Sequence, residues 1–132
     1  MKYLDEVIRV SPEAVKGGEL YRAAMRCADS GDFDEALHLS DKCLTYDFKL
    51  NIIFRDEIRI YIVAKMLEAQ LFDQALNVTK EMNSIQHKSG AIFRIIKAHL
   101  QKEEMEQAYS LAGTIEDTLL RNEALAEISK HR

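Results

Sequence analysis

The sequence contains no tryptophan, one proline, five glycines and two cysteines in 132 residues, and it has no long uncharged apolar run. Hydrophobic residues make up 47% of the chain and charged residues 30%, and the two kinds are interspersed. This composition is too apolar for a disordered chain and too often interrupted by charge for a membrane span. A domain of this length buries roughly two thirds of its unfolded surface, so its core needs neither metal nor disulfide.

The sequence also lacks an excess of basic residues. It has 18 Lys and Arg against 22 Asp and Glu, a net charge of −4, and no cluster of basic residues. Nucleic-acid-binding domains usually present a basic face, so neither nucleic acid nor a membrane is predicted as a partner. Asp5 and Glu6 lie where a secretory signal needs an apolar run, which favours a cytoplasmic protein.

The two cysteines, Cys27 and Cys43, have neither zinc-ligand nor redox-pair spacing. If they lie on antiparallel helices that turn near Gly31, their levels differ by about 10 Å at a rise of about 1.5 Å per residue. That distance is too long for a disulfide. Both are predicted to be small core residues, with a reactive thiol as the alternative.

One five-residue pattern occurs three times: a bulky apolar residue, two polar residues, an alanine and a further apolar residue. The copies are 33–37, 72–76 and 105–109, and their marker alanines are Ala36, Ala75 and Ala108. Recurrence at this spacing indicates a helical repeat in which the small side chain allows close packing. The first period is longer than the second. The extra residues are expected in a linker at 45–51, with Asp47 or Asn51 as the next N-cap.

Local signals place the turns of this repeat. Gly31 can end a helix in the left-handed conformation, and Asp32 with Glu35 forms a capping-box pattern. Asp117 or Thr118 is the predicted N-cap of the last helix. The predicted fold is all-α, an α-solenoid of three antiparallel αα-hairpins between two capping helices. Its segments are an N-terminal capping helix at 1–17, hairpins at 18–46, 51–84 and 86–116, and a C-terminal capping helix at 118–131.

Residues 58–63 alternate in β-branched character, which alone would favour a strand. They continue without a breaker into good helix formers and occupy the same place in the repeat as the first helix before Gly31. A helix is therefore predicted, apolar on most sides because neighbours cover both flanks. The second helix of the third hairpin is expected to bury five residues: Met105, Ala108, Tyr109, Leu111 and Ile115.

The turn phrase Gly31-Asp32-Phe33-Asp34-Glu35-Ala36-Leu37 opens the second half of a helix–turn–helix unit and resembles the tetratricopeptide repeat, whose period is about 34 residues. Gln70 and Glu103 replace the turn glycine in the later units. At a first-helix position where the family has an aromatic residue or leucine, this chain has Leu20, Arg59 and Ile92. The resemblance implies a non-catalytic adaptor or chaperone whose first helices line a concave groove for a peptide or helix of a partner protein.

Offsets carried over from that resemblance give a candidate partner-binding groove with an apolar floor and charges of both signs. Its residues are Tyr21, Met25, Glu57, Ile60, Leu67, Phe93, Lys97 and Leu100. Such a surface suits an amphipathic helix or an extended apolar peptide. Apolar residues at helical spacing are also typical of a core, and that alternative remains open for Ile60 and Leu67. A second functional hypothesis is a structural subunit that forms a homo-oligomer through its repeat ends or this groove.

No catalytic pattern is found. Glu35 and His38 have the spacing of half a di-iron bundle site, but the residues three before His99 and His131 are isoleucines, so a second half is missing. The four-residue spacing of His99 and Glu103 predicts a polar contact between their side chains at a helix end. With no phosphate loop and no nucleophile–base pair, we predict no enzyme activity, no metal and no cofactor.

Overall fold

The computed structural model describes residues 16–42 and 48–131, with side chains described for 19–42 and 55–131. The regular structure in these ranges is entirely helical, which confirms the all-α prediction. The helices are α1 (Lys16–Asp29), α2 (Phe33–Lys42), α3 (Phe48–Glu68), α4 (Phe72–Lys80), α5 (Ile85–Gln101), α6 (Met105–Ala112) and α7 (Thr118–Lys130). Most of the predicted N-terminal capping helix, and Cys43, lie outside the described residues. No described helix combines the length and apolarity needed to cross a bilayer.

Three helix pairs are joined by tight turns and pack against each other: α1 with α2, α3 with α4, and α5 with α6. We call each pair a hairpin, and its members the first and second helix. The first helices lie side by side, since α1 contacts α3 and α3 contacts α5, and the last helix, α7, contacts α5. Each second helix also contacts the helix that follows it in the chain. In the described part of the chain, extensive packing therefore joins helices of the same or adjacent hairpins.

The turns inside the hairpins share one backbone geometry. The residues with positive φ are Gly31 (81°), Gln70 (65°) and Glu103 (61°). The next residue donates its N–H to the carbonyl five residues earlier, as in a Schellman motif. These bonds are Asp32 to Cys27 (2.8 Å), Leu71 to Met66 (2.9 Å) and Glu104 to His99 (2.9 Å). The left-handed conformation costs a non-glycine residue roughly 1–2 kcal/mol, so two of these turns are held in place against a local preference.

The marker alanines occupy equivalent places. Ala36, Ala75 and Ala108 are each 0% exposed, as predicted. Each also donates its backbone N–H to the carbonyl four residues earlier, which closes the first turn of its helix. The predicted N-cap Asp32 accepts a hydrogen bond from the N–H of Glu35 at 3.3 Å. A larger side chain at any marker alanine would overpack a filled interior.

The segment at 58–63 lies inside α3, so the helix prediction is confirmed and the strand alternative fails. Ile58, Ile62 and Val63 are fully buried. The predicted linker at 45–51 extends too far, because α3 already begins at Phe48. Asn51 therefore lies within α3 and is not its N-cap. Residues 48–53 contain no helix breaker, so the extra residues of the first period partly lengthen α3.

Two apolar clusters meet at α5. The first joins α1 to α4 and includes Ala91 and Ile95 from one face of α5. The second joins α5, α6 and α7 and includes Ile92, Ile96 and Leu100 from another face. A helix covered on both flanks needs apolar residues around much of its circumference, which is the pattern expected of an internal element.

At two places a buried polar side chain connects a hairpin to the segment that follows it. Asp56 on α3 is 0% exposed and accepts hydrogen bonds from the N–H groups of Asn83 (3.0 Å) and Ser84 (2.8 Å). Ser84 is the N-cap of α5. At the equivalent place on α5, buried Ser89 accepts a bond at 3.4 Å from the N–H of Asp117, the N-cap of α7. Asp117 is thus the last-helix N-cap, one of the two residues predicted.

One predicted core residue is exposed. Tyr109 on α6 is 57% accessible, whereas its counterparts Leu37 and Leu76 are partly buried. Those leucines lie on second helices that a later second helix follows. Tyr109, in contrast, lies on the last second helix of the described chain.

Candidate partner-binding site

The residues predicted to line a groove lie on the first helices α1, α3 and α5. Five apolar ones are partly buried: Tyr21, Met25, Ile60, Leu67 and Phe93. Glu57 and Lys97 are exposed, as groove-rim residues would be. Leu100 is only 2% exposed and belongs to the second apolar cluster, so including it among solvent-facing residues was wrong. It lies at the interface of α5 with α6 and α7, where a residue on the inner side of the helix is covered.

The partly buried residues contribute to both core and surface. Tyr21, Ile60 and Leu67 pack against the first apolar cluster, and Phe93 packs against the second. Lys97 Nζ lies 4.8 Å from the centroid of the Phe93 ring, within the range of a cation–π contact. These side chains lie on the adjacent helices α1, α3 and α5, and we call them the first-helix row.

A polar cluster that the sequence analysis missed links α1 to α3 on this row. The hydroxyl of Tyr61 donates a hydrogen bond to the carboxylate of Asp29. Lys65 Nζ lies 3.5 Å from Asp29 and 3.6 Å from Glu68, and 5.6 Å from the Tyr61 ring centroid. The bond to Asp29 raises the pKa of Tyr61, and the nearby Glu68 carboxylate raises that of Lys65. The polar contacts of Tyr61 were not predicted, because this residue lies in the apolar run at 58–63.

Two clefts open on the side of the second helices. The larger, about 670 Å³, lies between α2 and α4 with α3 as its floor. The smaller, about 400 Å³, lies between α4 and α6 over α5. They are equivalent positions in successive hairpins, since Leu37 and Met66 of the first correspond to Leu76 and His99 of the second. Glu57 of the first-helix row and Arg59 of the larger cleft are two residues apart on α3. At about 100° per residue their side chains point roughly 160° apart, so the clefts and the first-helix row face different sides.

The floor of the larger cleft carries two arginines on one face of α3. Arg55 is 9% exposed and Arg59 is 4% exposed. Oδ1 of Asp41 accepts from Arg55 Nε at 2.9 Å and from Arg59 Nη2 at 2.8 Å. Arg55 Nη1 also donates to the Glu81 carbonyl at 2.9 Å, near the end of α4. Burial opposes ionisation of Asp41, but the bonds from both arginines outweigh it and lower its pKa.

The smaller cleft is lined by a histidine that packs against an aromatic ring at a tilt of 31°. The His99 ring lies 4.8 Å from the Phe72 ring, and its Nδ1 lies 3.1 Å from Glu104 Oε1. Lys102 Nζ lies 5.0 Å from the Phe72 ring centroid. The partner of His99 is therefore Glu104 rather than the predicted Glu103. The left-handed turn at Glu103 breaks the helical register, so four-residue spacing no longer places the two side chains together.

The described cysteine is buried, and metal-ligating side chains are not grouped in the described residues. Burial raises the pKa of the Cys27 thiol to about 11, so little nucleophilic thiolate forms at neutral pH. Cys27 is 1% exposed, as expected of a core residue. Across residues 16–42 and 48–131, no three His, Cys, Asp or Glu side chains are grouped to hold a metal ion.

Comparisons of this chain with protein-family models, with curated proteins and with solved structures found no match. The surfaces of the molecule are therefore the basis on which a function can be assigned.

Proposed function

We propose that this protein is a non-catalytic adaptor or chaperone of the tetratricopeptide-like kind, a solenoid of stacked hairpins that binds a segment of a partner protein. The observation that carries the proposal is the repetition of one unit. The turns at Gly31, Gln70 and Glu103 have the same pattern of backbone hydrogen bonds, and each is followed by a fully buried marker alanine. Stacking equivalent units aligns equivalent surfaces, which generates an extended binding face.

The row of first helices is the proposed binding face. It presents the partly buried apolar side chains of Tyr21, Met25, Ile60 and Phe93 beside exposed Glu57 and Lys97. An amphipathic helix, or an extended peptide with alternating apolar anchors, would cover the apolar side chains and leave its polar groups at the rim. Methionine and aromatic side chains adapt to varied partners, which suits a chaperone as well as an adaptor.

The test compares charged substitutions on opposite sides of the molecule. The variant Tyr21→Glu/Phe93→Glu places two carboxylates in the proposed face. Tyr109→Glu is the matched control, because it changes an exposed aromatic residue on α6. Partners crosslinked to each protein in the native host are identified by mass spectrometry, and helical content is followed by circular dichroism. We expect the double variant to lose at least about 90% of the captured partner, as for hot-spot residues, and the control to retain it.

Equal capture by the double variant, or loss of capture in Tyr109→Glu alone, would contradict this placement of the site. The competing hypothesis of a homo-oligomer is tested by sedimentation of the same three proteins. A dimer that the double variant alone dissociates would assign the first-helix face to self-association.

A further inference from the structure

The smaller cleft, between α4 and α6, has an apolar floor. Its lining includes fully buried Ile95 of α5 and the partly buried Leu76 of α4 and Leu111 of α6. Its volume is about 400 Å³. One turn of α-helix, about 10 Å wide and 5.4 Å long, fills roughly the same volume, so the cleft accepts side chains of a partner rather than a whole helix.

The lining of this cleft includes two carboxylates and no Lys or Arg side chain. Asp73 and Glu106 are exposed and occupy equivalent places in the first turns of α4 and α6. Within the described residues, neither carboxylate forms an ion pair. The neighbouring Lys102 lies over the Phe72 ring and pairs with neither of them. The cleft therefore presents unpaired negative charge beside apolar surface.

His99 of α5 adds a third acceptor to this lining. Its Nδ1 lies 3.1 Å from Oε1 of Glu104. When Nδ1 carries the proton that it donates to this carboxylate, Nε2 of the uncharged ring is an acceptor. The hydrogen bonds of the described residues leave Nε2 without a partner. Acceptors from three helices thus line the cleft.

We propose that the smaller cleft binds a lysine side chain of a partner protein, with its hydrocarbon stem on the apolar floor and its ammonium group at Asp73 and Glu106. The proposal is independent of the function assigned to the first-helix face, because the cleft lies on a different side of the molecule. Lysine combines an apolar stem with a charged end. Its ammonium group has three donors, which suits acceptors that come from three different helices. An acidic side chain would be repelled by the two carboxylates.

Nuclear magnetic resonance titrations of the isotope-labelled protein with defined probes test the site. The first probe is the peptide acetyl-Leu-Lys-Ala-Leu-Lys-Ala-amide, and its analogues carry Gln or Glu in place of both lysines. Butylamine represents the ammonium group and its stem without a peptide. At about 0.15 M salt, where distant charges are screened, we expect the lysine peptide to cause saturable shifts in α4 and α6. The Gln analogue should bind about fivefold more weakly or less, the scale of two exposed ion pairs, and the Glu analogue should not bind.

Variants separate this cleft from the general acidity of the chain. Asp73→Asn/Glu106→Gln removes both carboxylates at exposed positions and should weaken the lysine peptide about fivefold. Glu116→Gln/Glu123→Gln is the matched control, because it makes the same change of net charge at exposed residues outside the cleft lining. We expect the control to bind the peptide within about twofold of the natural chain, since charges beyond a Debye length are screened. Circular dichroism verifies that both variants keep their helical content.

Absence of saturable binding of the lysine peptide would overturn the proposal, as would equal binding of its Gln analogue. Equal weakening in the two double variants would show that the peptide follows net charge rather than this cleft. Shifts confined to the first-helix row would place the peptide on the other face. Butylamine binding as tightly as the peptide would assign the cleft to free amines and contradict a partner protein.

Discussion

Helices α3 and α5 occupy the same place in successive hairpins, yet their interiors differ in chemistry. Where α3 has buried Arg59, α5 has Ile92, and where α3 has buried Asp56, α5 has Ser89. Asp41, which bonds to Arg59, corresponds to Lys80 on the next second helix. The backbone turns that follow α3 and α5 are nevertheless alike, with φ of 65° and 61°.

This difference indicates that residues within a hairpin and residues between hairpins have different roles in the fold. The turn and the marker alanine set how each hairpin closes, and these are shared. The residues between hairpins set how strongly neighbours are joined, and these vary from one interface to the next. An interface that contains a buried ion pair loses much of its stability when one partner is removed, because the other charge stays buried and uncompensated. An apolar interface loses stability in smaller steps as contacts are removed.

The largest expected loss of stability is at the equivalent polar residues Asp56 and Ser89. Asp56→Ala should lower the free energy of unfolding by about 3 kcal/mol, because it leaves the N–H groups of Asn83 and Ser84 without the carboxylate that accepts from both. Ser89→Ala removes one longer bond and should cost about 1 kcal/mol. Urea unfolding of both variants measures the comparison. Equal losses would show that the buried charge on α3 contributes no more than the hydroxyl on α5.

The next effect concerns Asp41, which has no acidic counterpart on α4. Asp41→Ala leaves the two arginines without their carboxylate and should cost about 2 kcal/mol, less than for a fully buried pair because Asp41 is half exposed. Thermal unfolding measures this loss. Lys80→Ala, at the equivalent exposed position, is the control and should change stability by less than about 0.5 kcal/mol.

The same ion pair predicts a pH dependence. The folded-state pKa of Asp41 is lower than its ordinary value of 3.8, so the stabilisation is fully present above pH 3.8 and is lost as the pH falls through the folded-state pKa. Asp41→Asn should therefore show a smaller loss of stability than the natural chain between pH 5 and the acid limit of folding. Parallel unfolding curves for the two proteins over this range would contradict a lowered pKa.

The smallest effect is at the shared turns. Gln70→Gly and Glu103→Gly should each stabilise the protein by up to about 1 kcal/mol, because glycine adopts positive φ without a side-chain clash. Gly31→Ala should destabilise it by a similar amount, although an added Cβ there meets no atom within 4 Å. Gln74→Gly, in the interior of α4, is the control and should destabilise by about 1 kcal/mol. A loss of stability in Gln70→Gly would mean that its own side chain supports the turn.

The sequence was sufficient for the helical class, for the turn at Gly31 and for the buried marker alanines, because these depend on short local patterns. It did not reveal the bonds of Arg55, Arg59 and Asp56, whose partners lie 14 to 28 residues away. A charged residue within a helix is normally predicted to face solvent, so these buried positions carry no local signal. Tyr109 was predicted to be buried because its repeat position is apolar, yet its side chain on α6 is exposed.

The distance between the first and last helices tests the proposed stack most directly. Nitroxide labels at two exposed positions, Arg22→Cys on α1 and Glu123→Cys on α7, would be measured by pulsed electron resonance after Cys27 and Cys43 are replaced by alanine. Three successive helix spacings of about 8–10 Å predict a separation near 25–30 Å. A narrow distribution below about 20 Å, as in a closed bundle whose first and last helices pack together, would contradict the layered arrangement on which the proposed binding face depends.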